Sequence, residues 1–198
     1  VHSSLLDTGV SAVMEAARLI DWINARNDEN RAKPRSEMAT RFTPPWTTLH
    51  VGKISGGTAH NITARDCRFV MEFRVVPDES VEDWADAVRT AARDIETAMQ
   101  AVQPSAAITL KPFAGVPGLK PEEDGAAETL VRRLTGDNGT HVVSYGTEAG
   151  QYQNAGYSTV ISVPGDIEQA HQADEFISIA QFEAGEKMLT RLVDSLCA

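Results

Sequence analysis

Five short polar segments contain the residues whose types and spacing could do chemistry. They are His2–Ser4, Gly56–Ile62, Glu72–Arg74, Tyr145–Gln151 and Pro164–Glu175. Imidazole, carboxylate, amide and guanidinium groups bind metal ions, transfer protons or hold anionic substrates. The sequence contains no H-E-x-x-H, Ser-His-Asp, P-loop or dinucleotide-binding pattern. Residue types and spacing alone therefore predict only an α/β protein with a cluster of polar loops.

The three segments of the first half also have structural interpretations. His2–Ser4 stands before a predicted helix, where such residues commonly cap or turn the chain. Asn61 follows Gly56-Gly57, a pair typical of a chain reversal. Arg74 lies in a predicted strand, and alternation places it on the face opposite the apolar side chains, where it can pair with a neighbouring acid.

The two segments of the second half each follow a predicted strand. Ligands of α/β proteins bind at the carboxyl ends of strands, so both segments are candidate ligand-binding loops. His171 lies among several acids in its loop and is a candidate metal contact. A single histidine is more often structural or simply exposed, and that alternative stays open at this point.

Hydrophobic periodicity predicts the elements that must position these residues. In residues 1–113 this periodicity predicts helices from Val10 to Asn24 and from Ser80 to Val102. It also predicts strands at 47–54, 68–75 and 107–111. That order is a ferredoxin-like βαββαβ unit without its first strand. After a Pro- and Gly-rich stretch at 114–124 it predicts a helix at 126–134, strands at 141–145 and 159–163, and a last helix from about Ile179. We place the domain boundary between residues 113 and 114.

Composition excludes several classes of function. The net charge of −10 and the pI of about 4.9 argue against a nucleic-acid or anionic-membrane surface, both of which need clustered Lys and Arg. The sequence has no apolar run long enough to cross a bilayer and no secretory leader. Two distant cysteines, Cys67 and Cys197, form no disulfide framework, which favours a cytoplasmic location.

In order along the chain, these segments resemble the family of dinuclear-zinc exopeptidases and deacylases. That family includes carboxypeptidase G, succinyl-diaminopimelate desuccinylase, aminoacylase and acetylornithine deacetylase. His2-Ser3-Ser4 followed by Asp7-Thr8-Gly9 resembles the motif that opens the family's dimerization (lid) domain. Gly56–Ile62 and Glu72-Phe73-Arg74 resemble its lid turn and its strand-end arginine. Gly146–Gly150 and Pro164–Glu175 resemble the acetylornithine deacetylase branch most closely.

The resemblance implies a fold and a role for each candidate residue. Residues 1–113 would form the lid domain, and residues 114–198 the C-terminal part of an α/β zinc-peptidase catalytic domain. His2 would be the catalytic lid histidine, which reaches the partner protomer's site and stabilises the oxyanion. His171 would be a zinc ligand. The implied substrate-binding residues are Asn61, Arg74, Thr147, Glu148 and Gly165.

The implied reaction is zinc-dependent hydrolysis of an N-acyl amino acid, such as N-acetylornithine in arginine biosynthesis, by a homodimer. The family uses two zinc ions, with cobalt as an alternative, and its remaining ligands and catalytic glutamate would lie upstream of Val1. We therefore expect the chain to be a C-terminal fragment that is inactive by itself and does not bind zinc tightly. Two alternatives stay open: a non-catalytic dimerization or regulatory module, and a related dipeptidase or desuccinylase.

Overall fold

The computed structural model describes residues 1–197. The described chain divides into two compact units, unit 1 (residues 1–115) and unit 2 (from residue 116 onward). Unit 1 contains helices α1 (Ala12–Ala32) and α2 (Val81–Val102) and strands β1 (Thr48–Gly56) and β2 (Cys67–Arg74). Unit 2 contains helices α3 (Ala126–Thr135), α4 (Ala149–Asn154) and α5 (Ile179–Cys197). Short 3-10 helices occur at Ser3–Thr8, Ala39–Arg41 and Ile167–Gln169. The mixed α and β architecture that the sequence predicts is confirmed.

The sheet of unit 1 is an antiparallel hairpin with helices on one face. Thr48 pairs with Arg74 at one end, and Gly56 pairs with Cys67 at the other. Along β2 the side chains alternate between half-buried and exposed, with Phe69 and Phe73 toward the helices and Arg74 toward solvent. The predicted placement of Arg74 on the face opposite the apolar side chains is therefore confirmed.

The core of unit 1 forms where α1 and α2 pack together. Its buried members are Leu19, Ala91, Ala92, Ile95 and Met99. Phe69 of β2 and Ile108 of the following segment pack against this cluster, as do Val10, Trp22 and Ala106. The apolar periodicity of α2 predicts that one face of this helix is buried, and the structure confirms it.

Helix α1 differs from its prediction in length and in its buried face. It continues through Asn27 and Asn30 to Ala32, and Val13 and Met14 are exposed. The Asn27 amide donates to the Leu49 carbonyl (2.7 Å) and accepts from the Leu49 N–H (2.9 Å). Buried Asn30 donates to the Thr47 carbonyl (2.8 Å). The buried face of α1 therefore extends beyond its apolar residues. It can do so because the Asn27 and Asn30 side-chain amides form hydrogen bonds with backbone groups at the start of β1.

Three predicted strands are absent from the described residues. Residues 107–111, 141–145 and 159–163 have no ladder partner there. In a split βαβ arrangement the first strand separates the third from the fourth, so a fourth strand without the first has no neighbour. Residues 107–111 match this description: Ile108 packs on the core and its N–H donates to Glu96 (2.8 Å), outside any sheet. These strand predictions are wrong for the described chain because pairing depends on a neighbouring strand as well as on composition.

Thr47 joins the start of β1 to the segment that leads into α2. It is fully buried, its hydroxyl donates to Glu79 (2.7 Å), and it accepts from the Val76 N–H (3.1 Å). The Trp84 indole donates to the same carboxylate oxygen of Glu79 (2.7 Å). One buried hydroxyl therefore holds together groups that are distant in sequence.

We expect Thr47→Val to lower the free energy of unfolding by about 1–3 kcal/mol, because the Val76 amide loses a buried acceptor. Thermal and urea unfolding of the purified chain measures the change. Thr40→Val is the matched control, since Thr40 is exposed and donates to the Glu37 carbonyl next to it. Equal losses in the two variants would contradict the role assigned to Thr47.

Unit 2 is built around the packing of α3 on α5. Leu134 near the end of α3 is buried, and the Arg191 side chain of α5 donates to its carbonyl (2.7 Å). Helix α3 ends at Gly136, the C-cap residue, which adopts the left-handed conformation. The predicted apolar face of α5 is largely exposed in the described residues, including Phe182, Leu189 and Leu196. No helix among residues 1–197 is long and apolar enough to cross a membrane.

Candidate functional site

In unit 1, His2 and Asn61 lie on neighbouring backbone segments. His2 forms an antiparallel bridge with Ile62, flanked by bonds from the Ser3 N–H to the Asn61 carbonyl and from the Thr63 N–H to the Val1 carbonyl, both 2.9 Å. The fold thus brings together two predicted site residues that are 59 positions apart in sequence. Both side chains are exposed and open to a ligand.

The imidazole of His2 is oriented by local hydrogen bonds. His2 stands at the N-terminal end of the 3-10 helix, and its Nδ1 accepts from the Ser4 N–H (3.2 Å). The Ser4 hydroxyl lies 2.9 Å from the same nitrogen. The capping interpretation of this segment and a role in binding are therefore compatible, because capping uses Nδ1 and leaves Nε2 free of this contact.

Arg74 lies at the other end of the hairpin. Strand β2 is eight residues long, so the backbone of Arg74 lies about 23 Å from that of Cys67 at its other end. The turn that contains Asn61 is at the Cys67 end of the hairpin. Its guanidinium contacts Glu72 (Nε to Oε1, 3.1 Å) on the exposed face of β2. Within unit 1, the three predicted lid residues do not line one common cavity.

An open cavity of about 440 Å³ lies beside the glycine-rich turn of unit 1. Its lining residues are mostly small or apolar and include Gly57, Thr58 and Ile62, but not His2, Asn61 or Arg74. Gly57 has a φ of 75°, a conformation that favours glycine and allows the tight reversal there. The cavity is therefore a product of the turn, and the candidate binding groups lie outside its walls.

In unit 2, Thr147 and Glu148 lie at the start of α4. The Thr147 hydroxyl accepts from the Ala149 N–H (3.2 Å), and the Glu148 carbonyl accepts from Gln151 (2.9 Å). The Thr147 hydroxyl therefore closes a local turn just before the helix, whose N-cap is Glu148, while the exposed carboxylate of Glu148 is available to a ligand.

Gly165 and His171 both have positive φ angles, 96° and 57°. Glycine adopts this conformation freely, whereas for histidine it is uncommon and is found mainly where surrounding structure imposes it. The His171 N–H donates to Glu175 (3.0 Å), and Gly165 donates to Gln181 (3.3 Å). The exposed His171 thus occupies a constrained loop, the backbone pattern often found at functional sites.

The carboxylate of Glu122 anchors the loop between α4 and residue 159. It accepts from Ser158 (2.5 Å), Gln153 (3.1 Å) and the Thr159 N–H (3.1 Å). These bonds, the one from Ser158 foremost, hold the pKa of Glu122 below its ordinary value. Sequence reasoning missed this residue because its partners lie more than 30 positions away.

A lowered pKa in the folded state makes unit 2 sensitive to acid. The stabilisation is present above the ordinary glutamate pKa of about 4.3 and is lost as pH falls through the lower folded-state value. We expect the melting temperature to fall with pH in this range and Glu122→Gln to reduce that dependence. Glu123→Gln, which makes the same charge change at the next, exposed residue, is the control in melts from about pH 6 to 3. Equal slopes for the two variants would refute the assignment.

Comparison with known proteins identifies the family. Residues 1–98 match the model of the peptidase dimerisation domain, M20_dimer. The acetylornithine deacetylase of Myxococcus xanthus is 30% identical over 198 residues, 99% of this chain and 50% of that protein. Residues 1–98 therefore belong to the M20_dimer family of peptidase dimerisation domains, and the chain as a whole is similar to acetylornithine deacetylases.

A second curated relative and a solved structure are also similar to this chain. The acetylornithine deacetylase of Proteus mirabilis is 29% identical over 99% of this chain and 48% of its own length. The solved structure of aminopeptidase PepT from Bacillus cereus superposes with a TM-score of 0.67 at 18% identity, covering all of this chain and 49% of that one. The chain thus spans about half the length of the relatives it matches.

Proposed function

We propose that this chain is the lid-bearing half of a metal-dependent amide hydrolase that removes the acyl group from an N-acyl amino acid. N-acetylornithine, cleaved to ornithine and acetate in arginine biosynthesis, is the proposed substrate, and the cytoplasm the proposed location. The observation that carries the proposal is the 30% identity to an acetylornithine deacetylase along the whole chain. The backbone pairing of the His2 segment with the Asn61 segment supports it, because two candidate segments that are distant in sequence lie side by side, and both candidate side chains are exposed.

In this proposal each candidate residue has a chemical task. His2 donates a hydrogen bond to the carbonyl oxygen as it becomes an oxyanion, and Asn61 and Arg74 hold the substrate carboxylate. Thr147, Glu148 and Gly165 contact the rest of the substrate. The long separation of Arg74 from Asn61 is accommodated in a homodimer, where the two ends of one hairpin serve different sites. Unit 1, which contains the dimerisation-domain match, would form the dimer contact.

The residues of this chain do not fit a complete metal site. Among residues 1–197, no three His, Cys, Asp or Glu side chains are grouped so that they could hold an ion. M20 enzymes are generally metal-dependent, and we propose that His171 contributes one imidazole to a site of two zinc ions, or cobalt in their place. Its other ligands would come from residues outside this chain.

We expect the purified chain to bind zinc weakly, because one imidazole is far short of the three or four protein ligands of a zinc site. Equilibrium dialysis against zinc, with His171→Ala as the comparison, measures this. The predicted result is no tight site and little difference between the two proteins. Stoichiometric binding at micromolar zinc that is lost in His171→Ala would contradict it.

Joining this chain to the unmatched half of the Myxococcus xanthus deacetylase tests the proposed function. We expect the chimera with zinc to release acetate from N-acetylornithine, and the isolated chain to release none. His171→Ala should abolish turnover in the chimera, whereas Thr40→Val should not. A folded, dimeric but inactive chimera would instead favour a non-catalytic dimerization module. Activity only on dipeptides or succinylated diamino acids would reassign the substrate.

A further inference from the structure

We propose that Ser4 is a positioning residue that holds the imidazole of His2 in the tautomer with its hydrogen on Nε2. The inference rests on the proposed function for its catalytic meaning, but its physical content concerns this chain alone. The proposal identifies Nε2 as the hydrogen-bond donor of His2 and Ser4 as the residue that determines this tautomer. Neither assignment follows from the sequence motif.

The argument begins with the Ser4 backbone. A peptide N–H can only donate, and this one points at His2 Nδ1 from 3.2 Å. Nδ1 must therefore present its lone pair, so in the neutral ring the hydrogen lies on Nε2. The Ser4 hydroxyl, 2.9 Å from Nδ1, can rotate to donate to the same lone pair.

The surrounding backbone holds this geometry in place. The Ser3 N–H donates to the Asn61 carbonyl and the Leu5 N–H donates to the His2 carbonyl, each at 2.9 Å. The chain on both sides of Ser4 is thereby fixed, and the Ser4 N–H keeps its direction toward the ring. Reversing the ring about the Cβ–Cγ bond would put Cδ2 in the position of Nδ1 and break both contacts.

The assignment separates the roles of the two candidate histidines. With Nδ1 occupied and Nε2 protonated, His2 has no free lone pair for a metal ion and acts as a neutral hydrogen-bond donor. Its acceptor is an oxygen, such as the carbonyl of an acylated amino acid. His171, whose backbone rather than ring is held by Glu175, keeps the metal role in the proposed function.

Nitrogen-15 NMR of the imidazoles in the full 198-residue chain tests the assignment. At about pH 8.5, some two units above an ordinary imidazole pKa, we expect His2 to show an unprotonated Nδ1 and a protonated Nε2. Exposed His60 is the reference in the same spectrum. Ser4→Ala removes the hydroxyl contact but keeps the backbone N–H, so it should move the His2 shifts part of the way toward those of His60; Ser4→Thr should restore them, and Ser3→Ala should leave them unchanged. A protonated Nδ1, or shifts equal to those of His60 in the unmodified chain, would overturn the proposal.

A second experiment reads out the donor atom in the chimera. The amide nitrogen of glutamine can take the position of Nε2, whereas that of asparagine lies near Nδ1. Loss of an oxyanion donor costs about 10²–10³ in kcat, so we expect His2→Asn to show that loss and His2→Gln to retain at least about tenfold more. Equal losses would count against Nε2 as the donor. An inactive chimera would defeat the proposed function alone, since the NMR measurement decides the tautomer independently.

Discussion

Truncation of Ile23 to alanine is expected to lower the free energy of unfolding of unit 1 by about 2–5 kcal/mol. Ile23 lies in the middle of α1 and is only 2% exposed, so the lost methyl and methylene groups leave a cavity. Because α1 packs against both strands and against α2, the helix cannot move to fill that cavity without losing other contacts.

Urea unfolding followed by circular dichroism measures the effect. Ile54→Ala is the matched control, since the same groups are removed from a side chain that is 51% exposed, and it should cost much less. A loss below about 0.5 kcal/mol for Ile23→Ala would show that α1 does not form the interior of this unit.

Replacement of Gly150 by alanine is expected to destabilise unit 2 by about 3 kcal/mol or more, at the upper end of the range for overpacking. A Cβ at this position would lie 2.1 Å from the carbonyl oxygen of Pro117 and 2.9 Å from that of Gly118. Both clashes are with backbone, so no side-chain rotation relieves them. The last glycine of the Gly146–Gly150 motif is thus required for the close approach of two chain segments, whatever its role in binding.

Gly115→Ala is the control for this prediction, because a Cβ there meets nothing within 4 Å. Thermal unfolding of the two variants should show a clear fall in melting temperature for Gly150→Ala alone. In the chimera, Gly150→Ala should also reduce turnover, since α4 carries Thr147 and Glu148 at its start. An unchanged melting temperature would mean that the 117–118 segment moves away without cost.

The sequence by itself determined the elements with strong periodicity and the motifs that define the family. Alternation in β2 and the apolar stripe of α2 correctly predict which faces are buried, because these patterns express the geometry of a strand and a helix directly. The order of short motifs was enough to recognise the family of exopeptidases and deacylases that includes acetylornithine deacetylase, since each motif is contiguous in sequence.

Tertiary structure alone decided the features that depend on distant partners. Asn27 and Asn30 continue the buried face of α1 because amides satisfy β1, and no apolar pattern predicts that. Residues 107–111 have strand-like composition but stay unpaired, because a strand needs a neighbour. Likewise, the His2 and Asn61 segments meet through an isolated bridge between His2 and Ile62, and the distance of Arg74 from them follows from the length of one hairpin. Strand pairing and burial each depend on two segments of the chain, whereas hydrophobic periodicity describes the faces of one segment.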